Sequence, residues 1–138
     1  MITKANENDV KEIISNAVDA VQEATGYTFK PSQGQMGDII KRILDHGGYY
    51  LILKEKSYLK GWILLDISKD YFRRQNIGFI YEVYILPKYR GKGYSKELIK
   101  AALEDLYTQG CNEIERNICS TNFYKEIGFV NHQNEPIY

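Results

Sequence analysis

The sequence predicts an α+β fold in which a mixed, twisted sheet carries helices on both faces. Apolar residues first recur at helical spacing, then at strand spacing from residue 48 to residue 86, and a glycine-bearing turn leads into a further helix. A strand, a turn, a helix and another strand in that order form a βαβ unit with two parallel strands. The strands that are joined by short turns should instead be antiparallel.

The N-terminal part of the chain predicts a short strand followed by two helices. Residues 2–5 form the strand, and either Asn6 or Asn8 caps the first helix. The second helix is stopped by Gly47 and Gly48. Each helix carries one apolar stripe at helical spacing, made of Val10, Ile13, Ile14, Ala17, Val18 and Val21 in the first and of Met36, Ile39, Ile40, Ile43 and Leu44 in the second.

The rest of the chain predicts a sheet built around one more helix. The elements are, in chain order, two strands joined at Lys56-Ser57, a loop at 69–76, a strand from Ile77 to Leu86, the glycine turn, a helix from about Ser95 to Gln109, a strand at 112–118, a helical turn at 119–129 and a final strand or tail. We expect a single domain over residues 1–138, because this length is ordinary for one hydrophobic core.

Composition and charge restrict the class of protein. The 18 basic residues equal the 18 acidic ones, whereas proteins that bind nucleic acid carry a basic surplus, so we expect no nucleic-acid partner. No apolar run could span a bilayer and no signal peptide is evident, so we expect no membrane partner. Cys111 and Cys119 lack the spacing of a metal site and indicate free thiols in a reducing compartment. We therefore predict a cytoplasmic protein without a metal.

The stretch "LPKYRGKGYSKELIK", from Leu86 to Lys100, predicts an anion site. Gly91 and Gly93 permit unusual backbone dihedrals at the start of a helix, where unpaired N–H groups and the helix dipole favour negative charge. Arg90 and Lys92 add full positive charges. The pattern favours phosphate or pyrophosphate, and the alternative is an ordinary turn with solvated basic residues. The Walker A and dinucleotide-binding motifs are both absent.

The same stretch resembles motif A of the GCN5-related N-acetyltransferases (GNAT), Q/R-x-x-G-x-G/A, with Arg90, Gly93 and Ser95 at the three fixed positions. A second stretch is similar to the family signature N-x-x-A-x-x-F-Y-x-x-x-G-F, through Asn117, Ser120, Phe123, Tyr124, Gly128 and Phe129. Ser95 and Ser120 depart from the usual small residues. The resemblance covers nearly the whole chain and implies the GNAT acyl-CoA N-acyltransferase fold. It also implies acetyl-CoA as co-substrate, its pyrophosphate held by Arg90, Gly91, Lys92, Gly93, Tyr94 and Ser95.

The resemblance implies direct transfer of an acetyl group to a primary amine of a small molecule or peptide. Tyr124 stands at the family's tyrosine position and would protonate the departing thiolate, unless it is simply a core aromatic. Glu82, in the apolar strand "FIYEVYIL", is the candidate base, and the alternative is a solvent-facing glutamate paired with a lysine. His46 and His132 are rival bases by chemistry.

Backbone groups should complete the site. The resemblance implies an oxyanion donor near Ile85 or Leu86, an edge that also binds the pantetheine arm, and a contact with that arm from Asn117. Strand alternation places Glu82 on one face with Tyr84 and Leu86, opposite Tyr81, Val83 and Ile85, unless a bulge changes the pattern.

The acceptor is the least determined part of the sequence prediction. Phe72, Arg73 and Arg74 either contact an acidic or aromatic substrate or form a solvated loop. Only "VNHQNEPIY" follows Phe129, where the family usually has two strands, so the substrate wall is either open or completed by a partner subunit of a homodimer. A catalytically inactive acyl-CoA-binding module of the same fold is the alternative function.

Overall fold

The structure, a computed structural model, describes residues 1–26 and 30–116 of the chain. Its elements are β1 (Ile2–Lys4), α1 (Glu7–Ala24), α2 (Gln33–Asp45), β2 (Tyr49–Glu55), β3 (Tyr58–Asp70), β4 (Gln75–Ile85), a 3-10 turn (Pro87–Tyr89), α3 (Tyr94–Thr108) and β5 (Cys111–Arg116). The predictions for Asn117, Cys119, Tyr124, His132 and the C-terminal strand lie outside the described residues.

The five strands form one mixed sheet in the order β1-β2-β3-β4-β5. The pairs from β1 to β4 are antiparallel, and β4 pairs with β5 in parallel across the α3 crossover. This arrangement confirms the predicted α+β class and the predicted βαβ unit. None of the helices in the described ranges is long and apolar enough to cross a bilayer.

Helices cover both faces of the sheet, as predicted. The apolar stripes of α1 and α2 pack on one face, which we call the α1/α2 face, and α3 packs on the other, the α3 face. The α3 face buries aliphatic side chains, among them Leu98, Ala102 and Leu106 of the helix. The α1/α2 face instead includes the buried aromatic rings of Tyr50 and Trp62.

Side-chain caps fix the start of α1 and α2. Asn6 rather than Asn8 caps α1, since its side chain accepts from the Asp9 N–H and the Asp9 carboxylate accepts from the Asn6 N–H, both at 2.9 Å. Ser32 and Gln35 form the same reciprocal box at α2. The Lys54 ammonium also pairs with the Asp9 carboxylate and thereby connects β2 to α1.

The predicted loop at 69–76 is wrong in its extent. β3 continues to Asp70 and β4 begins at Gln75, so only residues 71–74 connect the two strands. The Asp70 carboxylate accepts from the N–H groups of Phe72 and Arg73, which fixes the turn. Polar residues form the strand ends here because this end of the hairpin lies in solvent, where strands lose the apolar alternation that identifies them.

A bulge in β4 decides which side chains face which helices. Leu64 of β3 is opposite Glu82 while Leu65 is opposite Ile80, so Tyr81 is an extra residue in β4. Ile80 consequently packs on the α3 face, whereas Tyr84 packs on the α1/α2 face.

The bulge confirms part of the predicted alternation and corrects part of it. Glu82 hydrogen-bonds to Trp62 on the α1/α2 face, where Leu86 also packs, as predicted. Val83 and Ile85 lie on the α3 face, also as predicted. Tyr81 packs on the α1/α2 face rather than opposite Glu82, because the extra residue shifts its direction.

Gly61 allows β3 to approach the end of β4 closely. A Cβ atom at this position would stand 2.6 Å from the carbonyl oxygen of Tyr84 and 2.5 Å from Cδ1 of Ile85. The position therefore has no room for a side chain unless the end of β4 moves.

Candidate active site

A cleft of about 530 Å³ lies where β4 ends and α3 begins. Its walls come from the end of β4, the glycine turn with the start of α3, and one residue of α1. The lining residues are Glu23, Val83, Tyr84, Ile85, Tyr89, Arg90, Gly91, Gly93, Tyr94, Ser95 and Ile99. Six of the residues predicted from sequence to bind the cofactor thus share one cavity.

The glycine turn has the geometry of an anion site. Gly91 and Gly93 both have φ of +82°, a left-handed conformation that other residues seldom adopt. Gly93 is the N-cap of α3 and offers no capping side chain, and the first helical bond runs from the Glu97 N–H to the Gly93 carbonyl. The N–H groups of the first turn therefore have no partner within the helix and are directed at its open end, where the dipole favours an anion.

Arg90 uses its side chain to brace this turn. Its Nε donates to the Ile85 carbonyl at 2.8 Å, its Nη2 donates to the Glu23 carboxylate at 2.9 Å, and its guanidinium lies 5.2 Å from the centre of the Tyr84 ring. The guanidinium thus connects β4, α1 and the turn. Lys92 has an exposed side chain and is not among the lining residues of the cleft.

Lys60 holds the outer side of the turn. Its ammonium lies 4.9 Å from the Tyr89 ring centre and 5.0 Å from that of Tyr94, and it donates to the Tyr94 hydroxyl at 3.1 Å and to Glu55 at 3.0 Å. The hydrogen bonds to Tyr94 and Glu55 raise the pKa of Lys60. Two aromatic residues that line the cleft therefore contact the same cation.

The end of β4 presents backbone groups to the cleft. The Leu86 N–H donates to the Lys60 carbonyl at 2.9 Å, so it belongs to the β3–β4 ladder. Backbone groups of successive strand residues point to opposite sides, so those of Ile85 point away from β3. Of the two predicted donors, Ile85 is the one that the fold directs towards the cleft.

Glu82 is a buried residue of β4, three positions before the strand ends. Its side chain is 3% exposed, so the alternative of a solvent-facing glutamate is wrong. One carboxylate oxygen accepts from the Trp62 indole N–H at 2.6 Å. Tyr50 is fully buried nearby; burial and, to a lesser degree, the negative charge of Glu82 raise its pKa well above the usual value. The carboxylate is therefore set among aromatic side chains with a hydrogen-bond donor directed at it.

Tyr84 links the buried carboxylate to the cleft. It packs against Trp62 with ring centres 4.8 Å apart and also lines the cavity. Burial, then the negative charge of Glu23, raise its pKa to about 12, and the Arg90 cation acts in the opposite direction. Its phenol therefore keeps its proton at neutral pH and can donate a hydrogen bond.

The sequence did not identify several cleft residues. Alternation from Ile85 could have indicated Val83, and helical spacing from Ser95 could have indicated Ile99. Glu23 gives no such signal, because it lies 67 positions from its partner Arg90.

Other sequence candidates lie away from the cleft. His46 follows α2 as its C-cap, is exposed and contacts the Arg42 carbonyl through Nδ1. Phe72, Arg73 and Arg74 are in the β3–β4 turn, at the opposite end of an 11-residue strand, roughly 35 Å away. The structure therefore does not bring these residues to the cleft.

The described part of the chain presents neither a reactive thiol nor a cluster of metal ligands. Cys111 is buried, and burial raises the pKa of its thiol, which disfavours the reactive thiolate. No group of three or more His, Cys, Asp or Glu residues that could hold a metal ion occurs within 1–26 and 30–116.

Comparison with known proteins agrees with this geometry. The acetyltransferase (GNAT) family model matches residues 16–129, well over half of the chain. A mycothiol acetyltransferase from Renibacterium salmoninarum is 25% identical over an alignment 126 positions long, which covers 83% of this chain and 37% of that protein. This chain thus spans much less than two thirds of that relative.

Solved structures share this fold. A GNAT family acetyltransferase from Staphylococcus aureus has a TM-score of 0.71 and 20% identity, covering 96% of this chain and 92% of that one. A ribosomal-protein-alanine N-acetyltransferase from Brucella melitensis has a TM-score of 0.70 and 16% identity, covering 95% and 93%. At these identities the likeness shows the fold, and together with the family match it leads to one conclusion: this chain belongs to the acetyltransferase (GNAT) family.

Proposed function

We propose that this chain transfers the acetyl group of acetyl-CoA to a primary amine of a small molecule or peptide by direct attack of the amine. The observation that best supports the proposal is the glycine turn, whose two left-handed glycines leave the first N–H groups of α3 directed at the cleft. A pyrophosphate is the anion that this geometry suits.

The cleft fits the rest of acetyl-CoA in chemical type. The Ile85 N–H is the candidate donor to the oxyanion of the reacting carbonyl. The Ile85 carbonyl already accepts from Arg90 and has a second lone pair that can accept from an amide of the pantetheine arm. Asn117, outside the described residues, is the proposed contact on the other side of the arm. Acetyl-CoA supplies the activated acyl group, and the protein orients it and excludes water.

Glu82 is the proposed base. An alkylammonium has a pKa of about 10 and must lose a proton before it can attack. Because Glu82 is 3% exposed and Tyr84, two residues further along β4, lines the cleft, the proton would reach Glu82 through a water molecule or through the Tyr84 hydroxyl rather than by direct contact. Tyr124 is the proposed acid for the departing thiolate.

The relatives support acetylation without agreeing on an acceptor. One is a mycothiol acetyltransferase and another is a ribosomal-protein-alanine N-acetyltransferase, so a small molecule and a protein are both represented. We therefore propose a primary amine as the acceptor class. Experiment must identify the molecule that bears this amine.

Calorimetric titration with acetyl-CoA is the first test. We expect wild-type protein to bind and Gly93→Asp to lose binding, because the new carboxylate would occupy the anion site and repel the pyrophosphate. Gly93→Asn is the matched control: asparagine has nearly the same size and the same tolerance for left-handed φ but no charge, so it should retain much of the affinity. Equal loss in both variants would show that shape, not charge, is responsible, and no binding by wild type would refute the proposal.

Release of free thiol with a panel of amines then tests catalysis. Tyr124→Phe should lower turnover about 10²-fold with little effect on acetyl-CoA affinity, since only the proton donor is removed. Tight cofactor binding with no thiol release from any amine would instead identify an inactive acyl-CoA-binding module.

A further inference from the structure

The hydrogen bond between Trp62 and Glu82 directly contacts the proposed base, which is Glu82 itself. Trp62 is the only tryptophan in the chain, and the structure buries it completely. Its indole N–H lies 2.6 Å from a carboxylate oxygen of Glu82, a distance typical of a strong, charge-assisted hydrogen bond. An indole can donate but cannot accept a proton, so this partner always presents a donor to the carboxylate.

The sheet fixes both partners of this bond. Trp62 is opposite Tyr84 in the β3–β4 register and Glu82 is opposite Leu64, so the indole and the carboxylate are diagonal neighbours on one face. The bulge at Tyr81 is what turns Glu82 to that face, since without the extra residue it would follow Ile80 onto the α3 face. The register therefore keeps the two side chains next to each other on this face.

Packing also limits the freedom of the indole. The Trp62 ring lies at 4.8 Å and 31° to the ring of Tyr84, and Ile52 of β2 is its cross-strand neighbour on the other side. These neighbours pack against the indole on two sides, and its N–H is directed at Glu82.

Within the described part of the chain, the titratable and charged groups around Glu82 come from β2, β4, α1 and the glycine turn. Tyr50 faces it from β2 and Tyr84 from β4, while Asp19 and Glu23 of α1 and Arg90 of the glycine turn act on Tyr84 beside it. The residues that α2 contributes to this core are all apolar: Met36 and Ile40 are buried, and Ile39, Ile43 and Leu44 are partly buried. In this setting, a fixed donor favours the carboxylate form over the neutral acid.

We propose that Trp62 is the positioning residue of the base, holding the Glu82 carboxylate in one orientation and in its ionised form. This inference rests on the proposed function, because it assigns Trp62 a role only if Glu82 accepts the proton of the amine. Trp62 itself lies beneath the cleft wall and acts through Glu82.

The kinetic test is Trp62→Phe, which keeps an aromatic ring and removes the donor. We expect the acid limb of the kcat/KM profile to move upward by about one to two pH units, the effect of losing one hydrogen bond to a charged group. The KM for acetyl-CoA should stay within a factor of about two, since the glycine turn is unchanged. Ile63→Val, the adjacent buried position on the opposite face, is the control and should leave the acid limb in place.

The spectroscopic test needs no variant of Trp62 and so does not depend on how well that variant folds. Because the chain has one tryptophan, emission excited at the red edge of its absorption reports on this indole alone. We expect the emission intensity of wild-type protein to change with pH at the same midpoint as the acid limb of the kcat/KM profile. The emission intensity of Glu82→Gln should stay constant over that pH range.

These outcomes separate the inference from the proposed function. An acid limb that does not move in Trp62→Phe, or an emission titration that persists in Glu82→Gln, would overturn the positioning role even in an active enzyme. Failure of the proposed function would appear elsewhere, as wild-type protein that releases no thiol or binds no acetyl-CoA.

Discussion

The two faces of the sheet bury different kinds of side chain. The buried side chains of the α3 face are aliphatic apart from Cys111, and Leu106 is fully buried against β4. The α1/α2 face buries a carboxylate, Glu82, together with the rings of Trp62 and Tyr50. A buried charge normally costs stability unless it is paired and hydrogen-bonded, so the second face carries a feature that folding alone does not require. The comparison teaches that the buried polar group is confined to one face, although both faces contribute residues to the cleft.

Glu82→Gln should have the largest effect on chemistry and a small effect on folding. The amide can still accept from Trp62 but cannot take up a proton, so we expect turnover to fall about 10³-fold. The free energy of unfolding should stay equal or rise, because a buried charge is removed. Turnover at saturating substrate and urea unfolding measure the two quantities. A large loss of stability with normal turnover would show that Glu82 contributes to folding rather than to chemistry.

Leu106→Ala should show the opposite pattern. Leu106 is 0% exposed and packs where α3 crosses β4, so its truncation should lower the free energy of unfolding by about 3 kcal/mol. Turnover per folded molecule should be unchanged, since the residue is remote from the cleft. Denaturant midpoints and rates at low temperature test this, and a fall in kcat as large as that of Glu82→Gln would show that the two faces are coupled.

Glu23→Gln sharpens the comparison at the edge of the cleft and should have the smallest effect. The Glu23–Arg90 pair is partly exposed, with 36% and 41% of the side chains accessible, and such pairs contribute little to stability. Removing a negative charge beside the anion site should raise acetyl-CoA affinity by less than about fivefold, an effect that salt should diminish. Weaker binding of the cofactor would mean that the brace on Arg90 outweighs the repulsion.

Much of this organisation could be predicted from local sequence. The glycine turn combines residues within six positions, and its left-handed glycines follow directly from their identity and spacing. The stripes of α1 and α2 likewise follow from helical periodicity. Such features depend on residues that are close together in the chain, so they can be predicted from the sequence.

The features that the sequence could not predict depend on strand register and on contacts between residues far apart in the chain. Glu82 was expected on the correct face, but alternation could not place Tyr81, because only the pairing with β3 reveals the extra residue. Arg90 was expected at the anion site and lines the cleft, but its pairing with Glu23, far away in the chain, has no signal in the local sequence. Strand ends in solvent at 69–76 lacked the apolar alternation that identifies strands.

Gly61 has a consequence for tolerance to mutation. The space beside it is closed by backbone atoms of β4, and every other amino acid begins with the same Cβ atom that would meet them. Polar, charged and aliphatic replacements should therefore share one defect, a displaced Ile85 backbone, regardless of their chemistry. Among closely related sequences with an intact cleft, this position should accordingly admit glycine alone, whereas its neighbour Trp62 would be constrained by chemistry and by size.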